Sequence, residues 1–498
     1  MENKIYLYNP TRRKFIKDVS LATVSLFALS MMTGGCESCS KKIANRPMRR
    51  LIRDNELANA AVQIYRDGVA AMKALPSSDA RNWTKQAEIH DDFCPHGNWF
   101  FFPWHRAYLF HFEKIIQNLT GEETFGLPYW NWCYDGHIPS GFWEPPSGNS
   151  LYDSTRIATA SSVASSSSTG LSLVSGYCDE SDFNLFAGGE TFGLRTGGGS
   201  YGYVEGTPHN YIHGTFVRGN MATFMSPLDP IFWCHHCMVD VCWFEWNIKR
   251  SHPNTSDTDW TNFNLSGMFC NGDGSPADPM AVIVTVLMPL LSYQYETGID
   301  GSTAAADLVA GKSKSDMEKI ESIIKKGTSL KLDVRKKFTL DKTFEFSIRK
   351  PVPEKITVDA NEFARIFSSG KEDRVLLKIK NLTQPPKSDV YLRVFINKPD
   401  AGMQTPIEDP HYAGSFYFFV HGGDQHKDMH AENPDIYVDV TNTLKNLKRS
   451  GELENFENVE VSIIPVPVSE NDQSDFVFTA KGMEVIISPV KIELMNLK

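Results

Sequence analysis

Histidines grouped in three short segments constrain this chain more than any other feature of its sequence. The segment EGTPHNYIHG, residues 205–214, places two histidines four residues apart. Residues at that spacing project from one face of a helix, so both imidazoles can approach one ion. The segments HDDFCPHGNWFFFPWHR, residues 90–106, and DPIFWCHHCMVD, residues 229–240, contain the other grouped histidines. The chain is therefore predicted to bring several helices together around His90, His96, His105, His209, His213, His235 and His236.

These histidines can form two groups with the chemistry of a transition-metal site. Neutral imidazole is a ligand for copper, zinc, iron and nickel. Aspartate and glutamate do not recur at ligand spacing beside them, which argues against a carboxylate-bridged di-iron centre. The isolated histidines are interpreted as ordinary core or surface residues; they include His111, His137, His252 and His411.

Helical periodicity surrounds the grouped histidines. The helix that carries the His-His pair is predicted to open with Asp229 as its N-cap and Pro230 in its first turn. A Ser- and Gly-rich region, residues 136–206, has the composition of long loops, which in compact domains often border functional sites. The predicted helices cover residues 48–73, 100–119, 206–216 and 229–250.

The pattern of the chain changes after about residue 300. A charged stretch is followed by runs in which apolar residues alternate with others, as at Val390, Leu392 and Val394, and such alternation is typical of half-buried strands. A chain of 498 residues is also too long for one compact core. We therefore expect a mainly α catalytic domain, with a four-helix bundle core and long loops, followed by an all-β sandwich. The predicted divisions are a signal at 1–35, a polar tether at 36–47, the catalytic domain at 48–300, a linker at 301–331 and the sandwich at 332–498.

The N-terminus has the pattern of an export signal. Arg12 and Arg13 precede a short apolar run, residues 21–32, which is typical of a twin-arginine signal and of a bacterial source. The predicted location is therefore periplasmic, extracellular or on a surface lipoprotein. Cys36 follows two glycines and is a candidate lipid anchor, although simple cleavage nearby or an uncleaved anchor fits the same residues.

Charge excludes one class of partner. The formal net charge is -10 and the sequence pI is about 5.8, so the chain lacks the basic balance that nucleic-acid binding needs. The sequence also contains nine cysteines. It determines neither their pairing nor the oligomeric state of the protein.

Several motifs together resemble one known family. The segments CPHGNWFFFPWHRAYLFHFE, LPYWNW, EGTPHNYIHG and GNMATFMSPLDPIFWCHHCMVDVCWFEW are similar to the tyrosinases, or polyphenol oxidases. This type-3 binuclear copper family also includes catechol oxidases and molluscan haemocyanin units. The similarity covers about residues 48–297 and ends in YQY, residues 293–295, which resembles the family's Tyr-x-Tyr signature. It implies two copper ions, the first held by His90, His96 and His105 and the second by His209, His213 and His236.

The resemblance also implies roles for residues around the two ions. Cys94 matches the cysteine that forms a thioether with the histidine two residues later, here His96, although a thiol or a disulfide is the alternative. Phe232 would pack beneath the ions, His235 would be structural and Asp240 would orient part of the last helix.

Three further residues bear on the reaction. The resemblance implies that Glu205 and Asn210 hold a water that deprotonates a phenol, whereas Glu205 could instead complement a helix dipole. Asn210 favours hydroxylation of monophenols. Thr223 falls where some catechol oxidases carry a bulky phenylalanine at the substrate entrance, so a small residue predicts an open entrance.

The family implies the activity and a role for the second domain. The expected reaction is copper-dependent oxidation of phenols by O2, with ortho-hydroxylation of monophenols and oxidation of o-diphenols to o-quinones. The alternatives are a strict catechol or o-aminophenol oxidase, and an O2-binding or copper-storing protein without turnover. The sandwich resembles the domain that covers the copper pocket of latent relatives, with a side chain of GSFYFFVHGG, residues 414–423, as the candidate plug.

Overall fold

The computed structural model describes residues 46–144, 147–191, 193–194, 200–302, 335–350, 352–359, 373–385, 390–418, 433–453, 457–468 and 476–489. The predicted signal, Cys36 and nearly all of the predicted tether and linker lie outside these residues. Within the described ranges, no helix combines the length and the apolarity that are needed to cross a membrane.

The first half of the chain is helical. Its longer helices are α1 (Glu56–Ala74), α2 (Trp83–Phe93), α3 (Phe101–Thr120), α4 (Leu171–Cys178), α5 (Ile231–Phe244) and α6 (Val282–Leu291). Short α-helices cover Ser166–Thr169, Phe183–Ala187 and Thr258–Thr261, and 3₁₀ turns cover Ser140–Phe142, Gly219–Ala222 and Ser226–Leu228. Helix α3 packs against both α1 and α5, and every residue of α5 is buried, as expected for a helix at the centre of a domain.

The first helix begins later than the sequence pattern predicts. Helix α1 starts at Glu56 because the Asn55 side chain caps it, with Oδ1 accepting a hydrogen bond from the N–H of Ala58 at 2.9 Å. The residues before it form strand β1 (Met48–Arg49), which pairs in parallel with β2 (Gln294–Tyr295). This pairing joins the beginning and the end of the helical half.

The segment that carries His209 and His213 is helical but wider than an α-helix. It consists of two π-helical stretches, Glu205–His209 and Tyr211–Val217, and a third stretch, Glu245–Lys249, extends α5. Pro208 lies inside the first stretch and has no N–H to donate, so the regular hydrogen-bond ladder cannot continue through it. Single-turn π segments of this kind are frequent at functional sites.

The second half of the chain is a β-sandwich. Its strands are β3 (Lys336–Leu340), β4 (Phe344–Phe346), β5 (Val352–Thr357), β6 (Asp373–Ile379), β7 (Val390–Ile396), β8 (Tyr412–Tyr417), β9 (Ile436–Asp439), β10 (Asn458–Pro467), β11 (Phe478–Ala480) and β12 (Met483–Pro489), with helix α7 (Thr441–Ser450). Two four-stranded antiparallel sheets have the orders β5-β10-β7-β8 and β3-β12-β6-β9, and β4 pairs with β11.

Alternate residues of the two sheets form one core. Val390, Leu392 and Val394 of one sheet are buried together with Leu377 and Val485 of the other. The period-2 pattern therefore places the apolar face of one sheet against the apolar face of the other. A mainly α half followed by an all-β half confirms the predicted fold class.

The two halves are in close contact, and each buries a tyrosine in the core of the other. Tyr201, from the helical half, packs in the core of the sandwich and against Phe416 at 5.3 Å between ring centroids. Tyr417, from β8, packs in the helical core, where its ring lies 5.1 Å from that of Tyr211. The edge strand β8 therefore lies directly against the segment that carries Glu205 and His209.

Candidate metal centre

The fold brings the grouped histidines from separate elements into one buried region. His90 lies on α2, His96 in the loop that follows it and His105 on α3. His209 and His213 lie on the two π-helical stretches, and the His-His pair lies on α5. All seven side chains are buried.

The histidines form two groups that face each other. In each group the candidate ligand atoms lie within 4.8 Å of one another; one group is His90, His96 and His105, and the other is His209, His213, His235 and His236. The rings of His105 and His236 stack across the two groups with centroids 4.3 Å apart. Two metal ions held in these groups would therefore be neighbours.

Hydrogen bonds fix the tautomer of most of these rings. Backbone carbonyls accept from Nδ1 of His90 (Phe224, 2.6 Å), His105 (Phe101, 2.8 Å) and His213 (Met221, 2.7 Å), while Glu205 Oε1 accepts from His96 and Asn210 Oδ1 from His209, both at 2.9 Å. A carbonyl oxygen can only accept, so Nδ1 must carry the proton, and in a neutral ring the Nε2 lone pair is then available to a metal.

The arrangement of nitrogen atoms fits bound cations. Nε2 of His90 and Nε2 of His105 lie 3.4 Å apart, although both rings donate through Nδ1 to carbonyls. Two neutral rings held in this way direct lone pairs toward each other, which is favourable only around a positive ion. His213 Nε2 and His236 Nε2 approach to 3.2 Å in the second group.

Burial keeps the rings neutral. Loss of contact with water lowers the pKa of His105 and of His213 to about 3. The same cause, followed by the neighbouring histidines, lowers the pKa values of His96, His209 and His236 well below the ordinary value. Neutral imidazoles are the form that binds transition metals, and the donor set contains nitrogen alone, which suits copper.

The two adjacent histidines of α5 differ in what surrounds them. The indole N–H of Trp132 donates to Nδ1 of His235 at 3.1 Å, so a neutral His235 must carry its proton on Nε2. Burial lowers the pKa of His235 well below its ordinary value, which keeps the ring in that neutral form. His236 has no hydrogen-bond partner at Nδ1 among the described residues. These contacts favour His236 over His235 as a ligand.

Glu205 is buried and contacts the first group of histidines. Its Oε1 accepts from Nδ1 of His96 and from the N–H of Gly97 at 2.8 Å, whereas Oε2 has no hydrogen-bond partner among the described residues. Burial raises the pKa of the carboxyl well above its ordinary value, and the bond from Gly97 opposes that rise. Glu205 links the two groups: its side chain bonds to His96 of the first, and its backbone belongs to the π-helical stretch that carries His209 of the second.

Asn210 makes two hydrogen bonds with described residues. Its Oδ1 accepts from Nδ1 of His209 at 2.9 Å, and its Nδ2 donates to the backbone carbonyl of Tyr417 at 3.0 Å. Each end of the amide keeps a further hydrogen-bonding position, so the water shared by Glu205 and Asn210 stays a prediction.

Thr223 and Phe224 lie beside the first group of histidines in different ways. Thr223 is half-buried and its hydroxyl donates to the carbonyl of Asn220 at 2.9 Å. The neighbouring Phe224 packs against the rings of His90 and His96, at 5.8 and 5.3 Å between centroids. A bulky ring therefore borders the first group of histidines, and an open entrance at Thr223 stays a prediction.

The remaining predicted residues surround the histidines. The Phe232 ring lies 4.2 Å from that of His236 and 5.0 Å from that of His90, so it contacts both groups. Cys94 is buried at the end of α2, and its N–H donates to the carbonyl of His90 at 3.1 Å. Of the candidate plug, the described rings of Phe416, Tyr417 and Phe418 contact other aromatic residues, which are Tyr201, Tyr211, Tyr391 and Phe478.

Asp240 connects α5 to the ends of the helical half. Its carboxylate accepts hydrogen bonds from Arg106 and Arg49, and from the hydroxyls of Tyr293 (2.6 Å) and Tyr295. Arg49 also pairs with Glu113 at 3.0 Å and lies 3.6 Å from the centre of the Tyr293 ring. The YQY motif thus ties its strand to α5.

Sequence reasoning missed residues that act through their backbone or through a ring. Met221 and Phe224 orient histidines through carbonyl groups, which every residue type possesses, so no sequence signal marks them. Trp132 lies in the LPYWNW motif, and a buried indole N–H always needs an acceptor, so its partner could have been sought among the histidines. Arg49 lies in a polar stretch that gives no such sign.

Comparisons with known proteins agree with this geometry. The common central domain of tyrosinase matches residues 67–181 and 154–249, and the C-terminal domain of chloroplastic polyphenol oxidase matches residues 339–477. Together the two matches span more than half of the chain and fall on its helical and sheet-rich halves.

Individual relatives and solved structures give the same result. The chloroplastic (+)-larreatricin hydroxylase of Larrea tridentata is 27% identical over 456 residues, covering 81% of this chain and 73% of the relative. A chloroplastic polyphenol oxidase of Malus domestica is 25% identical over 493 residues, covering 87% and 79%. The structure of a latent aurone synthase, at 24% identity, covers 90% of each chain with a TM-score of 0.64, which shows a shared fold.

The relatives overturn the predicted location. Plant relatives from Larrea, Malus, Vicia and Solanum are named as chloroplastic enzymes, which points to plastid targeting rather than twin-arginine export. The predictions of a bacterial source and of a periplasmic, extracellular or surface-lipoprotein location are therefore not upheld. The residues that prompted them, Arg12, Arg13 and the run 21–32, lie outside the described ranges.

Family and geometry thus agree. Tyrosinase-family proteins bind copper, and two facing groups of buried, neutral histidines fit that metal. The relatives are named polyphenol oxidase, catechol oxidase, tyrosinase and hydroxylase, all of which are oxidoreductases. This chain is an oxidoreductase of the tyrosinase and polyphenol oxidase family, with the C-terminal polyphenol oxidase domain.

Proposed function

We propose that this protein holds two copper ions and uses O2 to oxidise phenols, hydroxylating monophenols at the ortho position and converting o-diphenols to o-quinones. The observation that carries this proposal is the convergence of Nε2 atoms from rings whose Nδ1 atoms donate to fixed acceptors. Such a set directs its Nε2 lone pairs to bound cations. The relatives in the comparison are named as a hydroxylase, a polyphenol oxidase, a tyrosinase and a catechol oxidase, which supports turnover over O2 binding or copper storage alone.

The first ion would be held by His90, His96 and His105, and the second by His209, His213 and His236. His235 is assigned to a supporting role because the hydrogen bond from Trp132 leaves it with an N–H rather than a lone pair at Nε2. When bound, the copper pair would supply O2 binding and the acceptance of electrons from the phenol.

The protein's own residues would position the substrate and its proton. Phe224 and Phe232 border the histidines and provide apolar surface for an aromatic ring. Oε2 of Glu205 is a buried carboxyl oxygen that has no hydrogen-bond partner among the described residues. In its ionised form it is the candidate acceptor for a phenolic proton, directly or through one water, and its raised pKa makes it a stronger base. Asn210 would act by orienting His209.

One second candidate is a strict catechol or o-aminophenol oxidase. One observation favours it: Phe224, rather than a small residue, borders the first group of histidines. A narrower site would restrict the enzyme to diphenols.

The proposal also includes one covalent feature, a thioether, and one structural feature, latency. We include a thioether between Cys94 and His96, since Cys94 is buried two residues before that ligand. The new S–C bond would replace the thiol S–H and a ring C–H, with O2 accepting the two hydrogen atoms and their electrons, so intact-mass analysis of the folded protein would find two hydrogen atoms missing. We also include latency, in which the sandwich shields the copper pocket, because β8 lies against the segment of Glu205 and His209.

The proposal is tested by loading the full-length protein with copper and assaying a monophenol and a diphenol side by side. We expect two copper ions per chain, turnover of both substrates, loss of both activities on chelation and recovery with copper but not with zinc. Turnover of the diphenol alone would replace the main candidate by the second. Binding of a single ion, or two bound ions without turnover, would overturn the proposal.

A further inference from the structure

A single side-chain amide joins the sandwich to a candidate copper ligand. Oδ1 of Asn210 accepts a hydrogen bond from Nδ1–H of His209 at 2.9 Å, and Nδ2 of Asn210 donates one to the carbonyl of Tyr417 at 3.0 Å. Asn210 and His209 are fully buried, and Tyr417 ends strand β8. The chain of hydrogen bonds therefore runs from the second half of the molecule to the metal centre in two steps.

The donors and acceptors in this chain allow one arrangement. The carbonyl of Tyr417 can only accept, so the amide must present its NH2 group to it. The amide oxygen then faces His209, whose Nδ1 must carry the proton. The Nε2 lone pair of His209 is consequently directed to the metal. A rotated amide would set its oxygen against the carbonyl oxygen of Tyr417 and its NH2 against Nδ1, which would favour the opposite tautomer of His209.

We propose that docking of the sandwich sets the amide of Asn210 and, through it, the ring tautomer with which His209 binds copper. The backbone carbonyl of Tyr417 is thus a positioning group for the metal centre, in addition to any shielding by the domain. The inference rests on the proposed role of His209 as a copper ligand. Because linkage is reciprocal, copper bound at His209 must in turn favour the docked position of β8.

Neighbouring contacts of β8 provide matched controls because they do not lead to a histidine. The hydroxyl of Tyr417 is 2.8 Å from Oγ of Ser168, and the hydroxyl of Thr207 donates to the carbonyl of Ser415 at 3.2 Å. Each holds the same strand against the helical half. A variant at Ser168 should therefore weaken docking to the same extent with and without copper.

The test is hydrogen–deuterium exchange on the full-length chain, measured for the peptide that contains Tyr412–Tyr417, with copper loaded and with copper removed. Copper ion alone is the probe. We expect copper to slow exchange of this peptide about threefold to tenfold, the change in population that one hydrogen bond supports. Ser168→Ala should exchange faster in both states and keep the copper effect. Asn210→Leu should lose the copper effect.

The outcomes separate this inference from the proposed function. If copper binds to the wild-type protein and exchange in β8 does not respond, the inference falls while the copper site stands. If copper does not bind, both fall. An equal copper effect in Asn210→Leu and in the wild type would show that the metal stiffens the molecule without this amide, and would also overturn the inference. Asn210→Asp is the second variant: it keeps an acceptor for His209 but has no donor for the carbonyl of Tyr417, so it should bind copper and lose the copper effect on β8, and a retained effect would overturn the inference.

Discussion

A hydrogen-bond acceptor beside five of the six candidate ligands decides which ring nitrogen is left for a metal. Carbonyls of Phe224, Phe101 and Met221 do this for three rings, and side chains of Glu205 and Asn210 for two more. Sequence motifs identify the histidines, but they cannot reveal these acceptors, since most belong to the backbone. The contact of Phe224 with His90 and His96 has the same origin: only the path of the chain decides which side chains face the histidines.

The adjacent histidines of α5 give a matched pair of variants. His236→Ala should release the copper ion shared with His209 and His213, because it removes a lone pair from the site. His235→Ala should retain that ion, because the bond from Trp132 commits the ring to an Nε2–H. Metal analysis of both variants after copper loading is the measurement. Equal losses of copper would contradict the assignment.

Glu205→Gln tests the proposed proton acceptor. The amide oxygen of glutamine can still accept from His96 and Gly97, so copper binding should be preserved. Loss of the carboxylate should reduce kcat for a monophenol by about 10²- to 10⁴-fold, the range for a general base, and reduce kcat for a diphenol less. Parallel assays with copper content determined for each sample provide the check, and an equal loss on both substrates would remove the assigned role.

Among the elements, the close contact between β8 and the π-helical stretch Glu205–His209 has the clearest structural requirement. A Cβ atom added at Gly206 would lie 3.2 Å from Cε2 of Phe416 and 3.6 Å from Cβ of Tyr201. Glycine at this position therefore permits the sandwich to approach. This contact does not follow from local sequence, because Gly206 and Phe416 lie about two hundred positions apart in the chain.

Gly206→Ala should loosen the docked sandwich without removing a ligand. Overpacking of a tight contact costs about 1–3 kcal/mol, so the uncleaved variant should show several-fold higher diphenol turnover than the uncleaved wild type if the sandwich shields the pocket. After the linker is cut, the two proteins should have equal activity, which serves as the control. Unchanged activity of the uncleaved variant, despite faster exchange in β8, would contradict shielding.

For the whole molecule, the sequence was sufficient to predict the order of a helical half and a β-sandwich. Alternation at Val390, Leu392 and Val394 corresponds to side chains buried between the sheets, as a period of two requires. The contact between the halves could not be predicted. Tyr201 and Tyr417 look like other aromatic residues in the sequence, and only the folded chain shows that each enters the opposite core.

Cleavage between residues 303 and 334 is predicted to raise activity. The cut would release the sandwich, while the bonds of Tyr293 and Tyr295 to Asp240 would hold the end of the helical half in place. We therefore expect higher diphenol turnover per bound copper ion after limited proteolysis, with copper content measured because loss of the Tyr417 carbonyl weakens binding at His209. The comparison is made on one copper-loaded preparation before and after the cut. No increase, with the sandwich shown by gel filtration to have separated, would exclude latency.

The pairing of Met48–Arg49 with Gln294–Tyr295 places the start and the finish of the oxidase half at one corner, bound to a common carboxylate. A short linker could therefore join these two ends, and the chain could begin instead at a surface turn of the catalytic half. Circular permutants made in this way should still fold and bind their metal, whereas permutants that lack either short strand should not.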